Sequence, residues 1–142
     1  MKFIANSPSE TFSIGEQIAE SLRSGDVVLL FGGLGAGKTL LTKGIMSALG
    51  FDVDEVTSPS FTLVNLYKAD TFDVYHIDLW RLDPASNPAE AVGLHEILEN
   101  DNAMAIIEWA DHLGDFAIPN RSVRIYIEGD GDVARSISVE IP

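Results

Sequence analysis

The chain has 142 residues, no cysteine, 46% hydrophobic and 22% charged residues, a composition that excludes disorder, low complexity, disulfide scaffolding and thiol chemistry. Nine Lys+Arg against 22 Asp+Glu leave a formal net charge of −13, a field that disfavours direct binding of a nucleic-acid backbone. Its apolar runs, none longer than that of Val27 to Phe31, are too short for a membrane helix, and Met1-Lys2-Phe3-Ile4-Ala5-Asn6 lacks a signal-like apolar stretch, so one cytoplasmic domain over residues 1–142 is expected.

Ser7-Pro8-Ser9-Glu10 reads as a capping box, and Ile14, Ile18 and Leu22 follow at four-residue spacing, which predicts a helix to about Arg23. Ser24-Gly25 stops it. Val27 to Phe31 is continuously apolar, the pattern of a central strand covered on both faces. Gly32 to Gly37 break that strand, and Leu41, Ile45, Ala48 and Leu49 mark the buried stripe of a helix ending at Gly50. Phe61 to Tyr67 and Asp73 to Asp78 read as strands joined around Ala69-Asp70-Thr71 in an antiparallel hairpin, which makes the sheet mixed. Asn87-Pro88-Ala89-Glu90 opens a short helix with Leu94, Ile97 and Leu98 on its apolar face, and Ala103 to Trp109 is another buried strand with a charge at its end. Val123, Ile125 and Ile127, then Ile137, Val139 and Ile141, alternate around Gly129-Asp130-Gly131-Asp132 as a terminal hairpin. The predicted fold is α/β.

Gly32-Gly33-Leu34-Gly35-Ala36-Gly37-Lys38-Thr39 fits the phosphate-loop pattern, and it stands between a buried strand and a helix as that pattern requires. Glycines let backbone N–H groups turn inward on phosphate oxygens. Lys38 would bridge the β- and γ-phosphates, Thr39 would give its hydroxyl to Mg²⁺, and residues Gly33 to Leu40 form the candidate nucleotide cradle. A metal carboxylate is needed at the C-terminal end of a neighbouring strand, which selects Asp78 and Glu108 and rejects Asp73 at the start of its strand. Asp78 is assigned the metal and Glu108 the attacking water; Thr39, Asp78 and Glu108 are the candidate metal set, with Lys38, Asp78 and Glu108 the candidate catalytic set. Thr57-Ser58-Pro59-Ser60 is a candidate switch loop whose hydroxyls can reach the γ-phosphate or the metal, against the plainer reading of a Ser/Pro turn. Trp109 is placed either on a base or partner, or in the core; Arg81 either beside Asp78 or phosphate, or on the surface. His76 reads as a satisfied structural histidine, because His76-Ile77-Asp78 alone makes an incomplete zinc site, and His95 and His112 are assigned no chemistry.

Taken together, the motifs resemble the bacterial TsaE family of tRNA threonylcarbamoyladenosine biosynthesis ATPases. The likeness runs from Leu34-Gly35-Ala36-Gly37-Lys38-Thr39 through Thr57-Ser58-Pro59-Ser60-Phe61-Thr62-Leu63-Val64 and Tyr75-His76-Ile77-Asp78-Leu79-Trp80-Arg81-Leu82 to Ile107-Glu108-Trp109. The resemblance implies a P-loop NTPase-like three-layer sandwich, a mixed β-sheet flanked by helices, that binds ATP and Mg²⁺. It also implies partnership with TsaB and TsaD, which modify adenosine 37 of tRNA, with ATP hydrolysis supporting repeated turnover of that complex and tRNA contacted only through it. Lys38 and Thr39 match the family's nucleotide residues, Asp78 its Walker-B-like carboxylate, Glu108-Trp109 its Glu-Trp pair, and Thr57 to Ser60 its switch-like loop. Gly33 stands where the family commonly has Asp, and Trp80 where it commonly has Tyr.

Two other function classes fit a P-loop. A small-molecule kinase closes an Arg-bearing lid over two substrates, but of Arg23, Arg81, Arg121, Arg124 and Arg135 three lie in or beside the terminal hairpin, and 142 residues leave little room for a lid. A nucleotide-gated binding module, with incidental hydrolysis, differs from an ATPase only in what turnover accomplishes. The guanine-reading Asn-Lys-x-Asp sequence is missing, which favours adenine.

Overall fold

The computed structural model describes residues 1–33, 35–59, 61–69 and 71–142; Leu34 of the predicted phosphate loop, Ser60 of the predicted switch loop and Asp70 of the hairpin connection lie outside them. Among the described residues the strands are β1 (Lys2–Ala5), β2 (Val27–Phe31), β3 (Val64–Tyr67), β4 (Asp73–Asp78), β5 (Ala103–Glu108), β6 (Ser122–Glu128) and β7 (Arg135–Glu140). They form one sheet in the order β1-β7-β6-β2-β5-β4-β3. Strand β2 is parallel to β5 and β6, and β4 to β5, whereas β1, β3 and β7 pair antiparallel with their neighbours, so the sheet is mixed.

The helices are α1 (Pro8–Ala19), α2 (Lys38–Ala48), α3 (Pro88–Ala91) and α4 (Leu94–Leu98). Strand side chains alternate between faces, and β2 and β5 are apolar throughout because both faces are covered. Val28, Leu30, Met104 and Ile106 pack with Ile14, Leu41 and Ile45 of α1 and α2. Val27, Leu29, Ala105 and Ile107 pack on the other side with Leu94 and Leu98 of α4 and with Leu113. The result is the expected three-layer α/β sandwich. No helix among the described residues is long and apolar enough to cross a membrane.

Helices α1 and α2 touch through two glycines: a Cβ built at Gly15 would lie 2.4 Å from Leu41 O, and one at Gly44 would lie 2.1 Å from Phe12 O. This backbone-on-backbone approach fixes α2, and with it the loop that precedes α2. Gly44→Ala is therefore expected to destabilise the chain by about 1–3 kcal/mol or more through overpacking, read as a lower midpoint in urea unfolding. An unchanged midpoint would contradict the close approach.

Four elements differ from the sequence expectation. Strand β1 was not anticipated; four residues with a lysine carry little period-two signal, and they are held by pairing along β7. Helix α1 ends at Ala19 rather than near Arg23, because Ser21 and Leu22 close tighter turns onto Ile18 O and Ala19 O while the Arg23 N–H bonds the Asp26 carboxylate. The apolar run from Phe61 becomes a strand only at Val64: Leu63 has φ 68° and bonds back to Pro59 O, and Phe61 is 83% exposed. The helix predicted from Asn87 is split into α3 and α4 by Gly93 at φ 68°.

Candidate functional site

Parallel register aligns Leu30 of β2 with Glu108 of β5, and Glu108 with Asp78 of β4. Two acidic side chains therefore stand side by side at the C-terminal ends of their strands, next to the loop that leaves β2. Asp73 pairs with Ala103 at the opposite end, where the sequence placed it.

The loop from Gly32 to Gly37 reaches the start of α2 through Gly35 at φ 75° and Gly37 at φ 103°, conformations that side-chain-bearing residues rarely adopt. Among the described residues no side chain caps the first turn of α2, so its N–H groups suit an anion. The Lys38 ammonium, on a residue only 6% exposed, donates to Gly32 O and Gly33 O, both at 2.7 Å, and sits 4.3 Å from the centre of the Trp109 ring. Burial pushes this lysine below its ordinary pKa, while Glu108, Asp78 and Asp111 pull it back up.

Asp78 accepts from the Trp80 N–H at 2.9 Å and from the Ser58 hydroxyl at 3.3 Å. Glu108 Oε2 lies 2.5 Å from Nε2 of the fully buried His76. Trp109 follows at φ 57°, a strained left-handed conformation for a bulky residue, of the kind that concentrates at functional sites. Its ring meets Trp80 at 4.5 Å and His112 at 5.7 Å. Nδ1 of His112 donates to Leu79 O and Leu82 O, both at 2.9 Å, which anchors the 79–82 turn behind the two tryptophans.

A cleft of about 440 Å³ gathers Gly35, Gly37, Lys38, Thr39 and Leu40 with Ser58, Asp78, Trp80, Arg81, Glu108 and Trp109. The Gly33 carbonyl holds the lysine at its edge, whereas Ala36 is turned into the core at 2% exposure. Of the predicted switch loop, Ser58 reaches Asp78, while the Thr57 N–H and carbonyl are tied to Tyr67 and Asn65 of β3. The Arg81 guanidinium stacks over the exposed Phe61 ring at 4.5 Å.

Sequence reasoning missed Arg135. Its Nε donates to Ala36 O at 3.0 Å and its Nη2 to Gly35 O at 3.2 Å and Gly131 O at 3.1 Å, so the β6–β7 turn braces the glycine loop. It also missed a second cleft of about 220 Å³ beyond the start of α2, where Asn6, Ser7, Thr11, Val133 and Arg135 meet Gly37 and Leu40. The only local signal was the position of Arg135 at the head of a predicted strand.

A family model described as "Threonylcarbamoyl adenosine biosynthesis protein TsaE" matches residues 5–137. A Bacillus subtilis protein named tRNA threonylcarbamoyladenosine biosynthesis protein TsaE is 36% identical over 138 residues, covering 97% of this chain and 84% of its own. A Rickettsia conorii protein of the same name is 36% identical over 114 residues, 80% of this chain and 63% of its own. The crystal structure of Bacillus subtilis YdiB shares the fold with a TM-score of 0.75 and 31% identity, covering 100% of this chain and 86% of that one. A match over residues 5–137, joined to a relative 36% identical across 97% of the chain, makes this protein a member of the TsaE family.

Proposed function

We propose that the chain is an ATPase of the machinery that makes N6-threonylcarbamoyladenosine in tRNA, binding ATP with Mg²⁺ and hydrolysing it slowly until its partners TsaB and TsaD engage it. The observation that carries this reading is the single cleft in which Lys38 and Thr39 face Asp78 and Glu108 across adjacent parallel strands. The α2 N-terminus and Lys38 bind phosphate oxygens; Lys38 exchanges the Gly32 and Gly33 carbonyls for the β- and γ-phosphates. Arg135 holds the Gly35 and Ala36 carbonyls, which fixes the shape of the loop that leads into the α2 N-terminus. The second cleft shares Gly37 and Leu40 with the first and lies away from the carboxylates, so it takes the adenosine end. Trp109 then contacts Lys38 and Trp80 at the phosphate end.

The donor set fits a hard cation. Thr39 supplies a hydroxyl, Asp78 and Glu108 supply carboxylate oxygens, and no group of three or more His, Cys, Asp or Glu that could hold a metal occurs among the described residues. Mg²⁺ is commonly held in this way, by few protein oxygens together with phosphate and water, and when bound it would neutralise charge on the transferring phosphate. Thr39 and Asp78 would hold it, and Glu108, beside them, would orient the attacking water and take its proton. With a net charge of −13 the chain leaves tRNA to its partners.

A second reading, a nucleotide-gated docking module, is favoured by one contact: the Ser58 hydroxyl on Asp78 ties the loop carrying the exposed Phe61 to the metal carboxylate. Steady-state ATP hydrolysis, measured with and without the TsaB–TsaD complex, separates the two. A low rate raised roughly tenfold or more by the partners is expected, since a residue supplied in trans can add about 10³–10⁵-fold in related sites. A rate that stays unchanged despite demonstrated binding would establish the gate.

A further inference from the structure

Beneath the cleft, the hydrolytic reading leaves the buried imidazole of His76 without a task. His76 is 0% exposed, in the middle of β4, between Asn65 of β3 and Ile106 of β5. Strand periodicity puts it on the same face as Asp78, two residues later, and beside Glu108, two residues beyond Ile106. The contact is Nε2 to Oε2 at 2.5 Å. A carboxylate can only accept, so Nε2 carries the hydrogen. The other ring nitrogen, Nδ1, is buried with no hydrogen-bond partner among the described residues. A buried polar atom left unpaired is costly, so the imidazole is kept where leucine or methionine would pack at no such cost.

We propose that His76 is the positioning residue of Glu108. It grips Oε2 from within the core and so sets the side-chain rotamer that presents the remaining carboxylate oxygen to the cleft. Glu108 needs such a grip. It stands directly beside Asp78, whose like charge would push it aside, and among the described residues no other hydrogen bond holds its carboxylate. The inference rests on the reading of Glu108 as the residue that handles water, and it extends that reading inward by one residue, as outer partners fix carboxylates and histidines around metals.

The bond itself is tested without nucleotide. In histidine-labelled protein, NMR is expected to show the His76 Nε2 hydrogen far downfield and slow to exchange, and Glu108→Ala is expected to abolish that signal. Identical spectra in the two proteins overturn the contact. Function is tested with His76→Gln, which keeps an N–H donor, and His76→Met, which does not. Met is expected to lower kcat for ATP about 10–100-fold with KM within about twofold, and Gln to recover part of that loss. In a Glu108→Gln background His76→Met is expected to cost nothing further; an equal cost in both backgrounds overturns positioning. Should His76→Met fail to fold, His76→Gln in the two backgrounds carries the same comparison. Full hydrolysis by Glu108→Gln alone would overturn the reading of Glu108, and with it the catalytic consequence of the grip, while the NMR result decides the bond.

Discussion

Lys38→Ala is expected to weaken ATP binding roughly 10²–10⁴-fold while the chain stays folded, the product of losing two charge-assisted contacts of about 1.5–3 kcal/mol each. The lysine is buried yet spends its donors on two loop carbonyls that lie within hydrogen-bonding reach at 2.7 Å. Burial has already pushed it below its ordinary pKa, so its charge is held in place by Glu108, Asp78 and Asp111. Phosphate oxygens offer a stronger counter-charge than carbonyls, so the exchange is expected to favour nucleotide. Alanine keeps the first turn of α2, and the core contacts of Leu41, Ile45 and Met46 are untouched. Calorimetric titration with ATP and Mg²⁺, with thermal melting as the folding control, checks both halves. Affinity within about threefold of the parent would remove Lys38 from the site.

Those features of the site that are local in sequence were legible. A buried strand, a glycine loop and an amphipathic helix are contiguous, so the cradle around Lys38 and Thr39 could be located from Val27 to Gly50 alone. The carboxylates were legible for a different reason: in parallel strands the functional edge is the C-terminal one, so a residue's place within its own strand separates Asp78 and Glu108 from Asp73. What escaped depends on long-range packing. Arg135 meets the glycine loop across 99 residues and His76 meets Glu108 across 32, and no period or propensity carries that distance. The local pattern reads His76 as a satisfied structural residue; one ring nitrogen is satisfied, by Glu108, and among the described residues the other has no partner. Phe61 shows the converse failure. A β-prone apolar run predicts a strand there, but the bond from the Leu63 N–H to Pro59 O turns the chain first and leaves the ring exposed beside Arg81.

Glu108 gives the second large effect. Glu108→Gln is expected to lower kcat about 10²–10⁴-fold with ATP and partner binding close to the parent, because the amide keeps the shape but cannot take a proton from water. The partner complex should then complete one round of tRNA modification and stop; undiminished multiple turnover would instead assign hydrolysis no role beyond gating. Glu108→Ala should share the kinetic defect and add a structural one. It deprives the buried Nε2–H of His76 of its acceptor, at a cost of about 1–3 kcal/mol, whereas Gln can still accept through Oε1. The two variants should therefore be alike in turnover and differ in melting temperature by several degrees. A common melting temperature would mean that His76 finds another acceptor once the carboxylate is gone. Equal and full activity in both would mean that the water is handled elsewhere, with Asp78 the other carboxylate among the described residues that line the cleft.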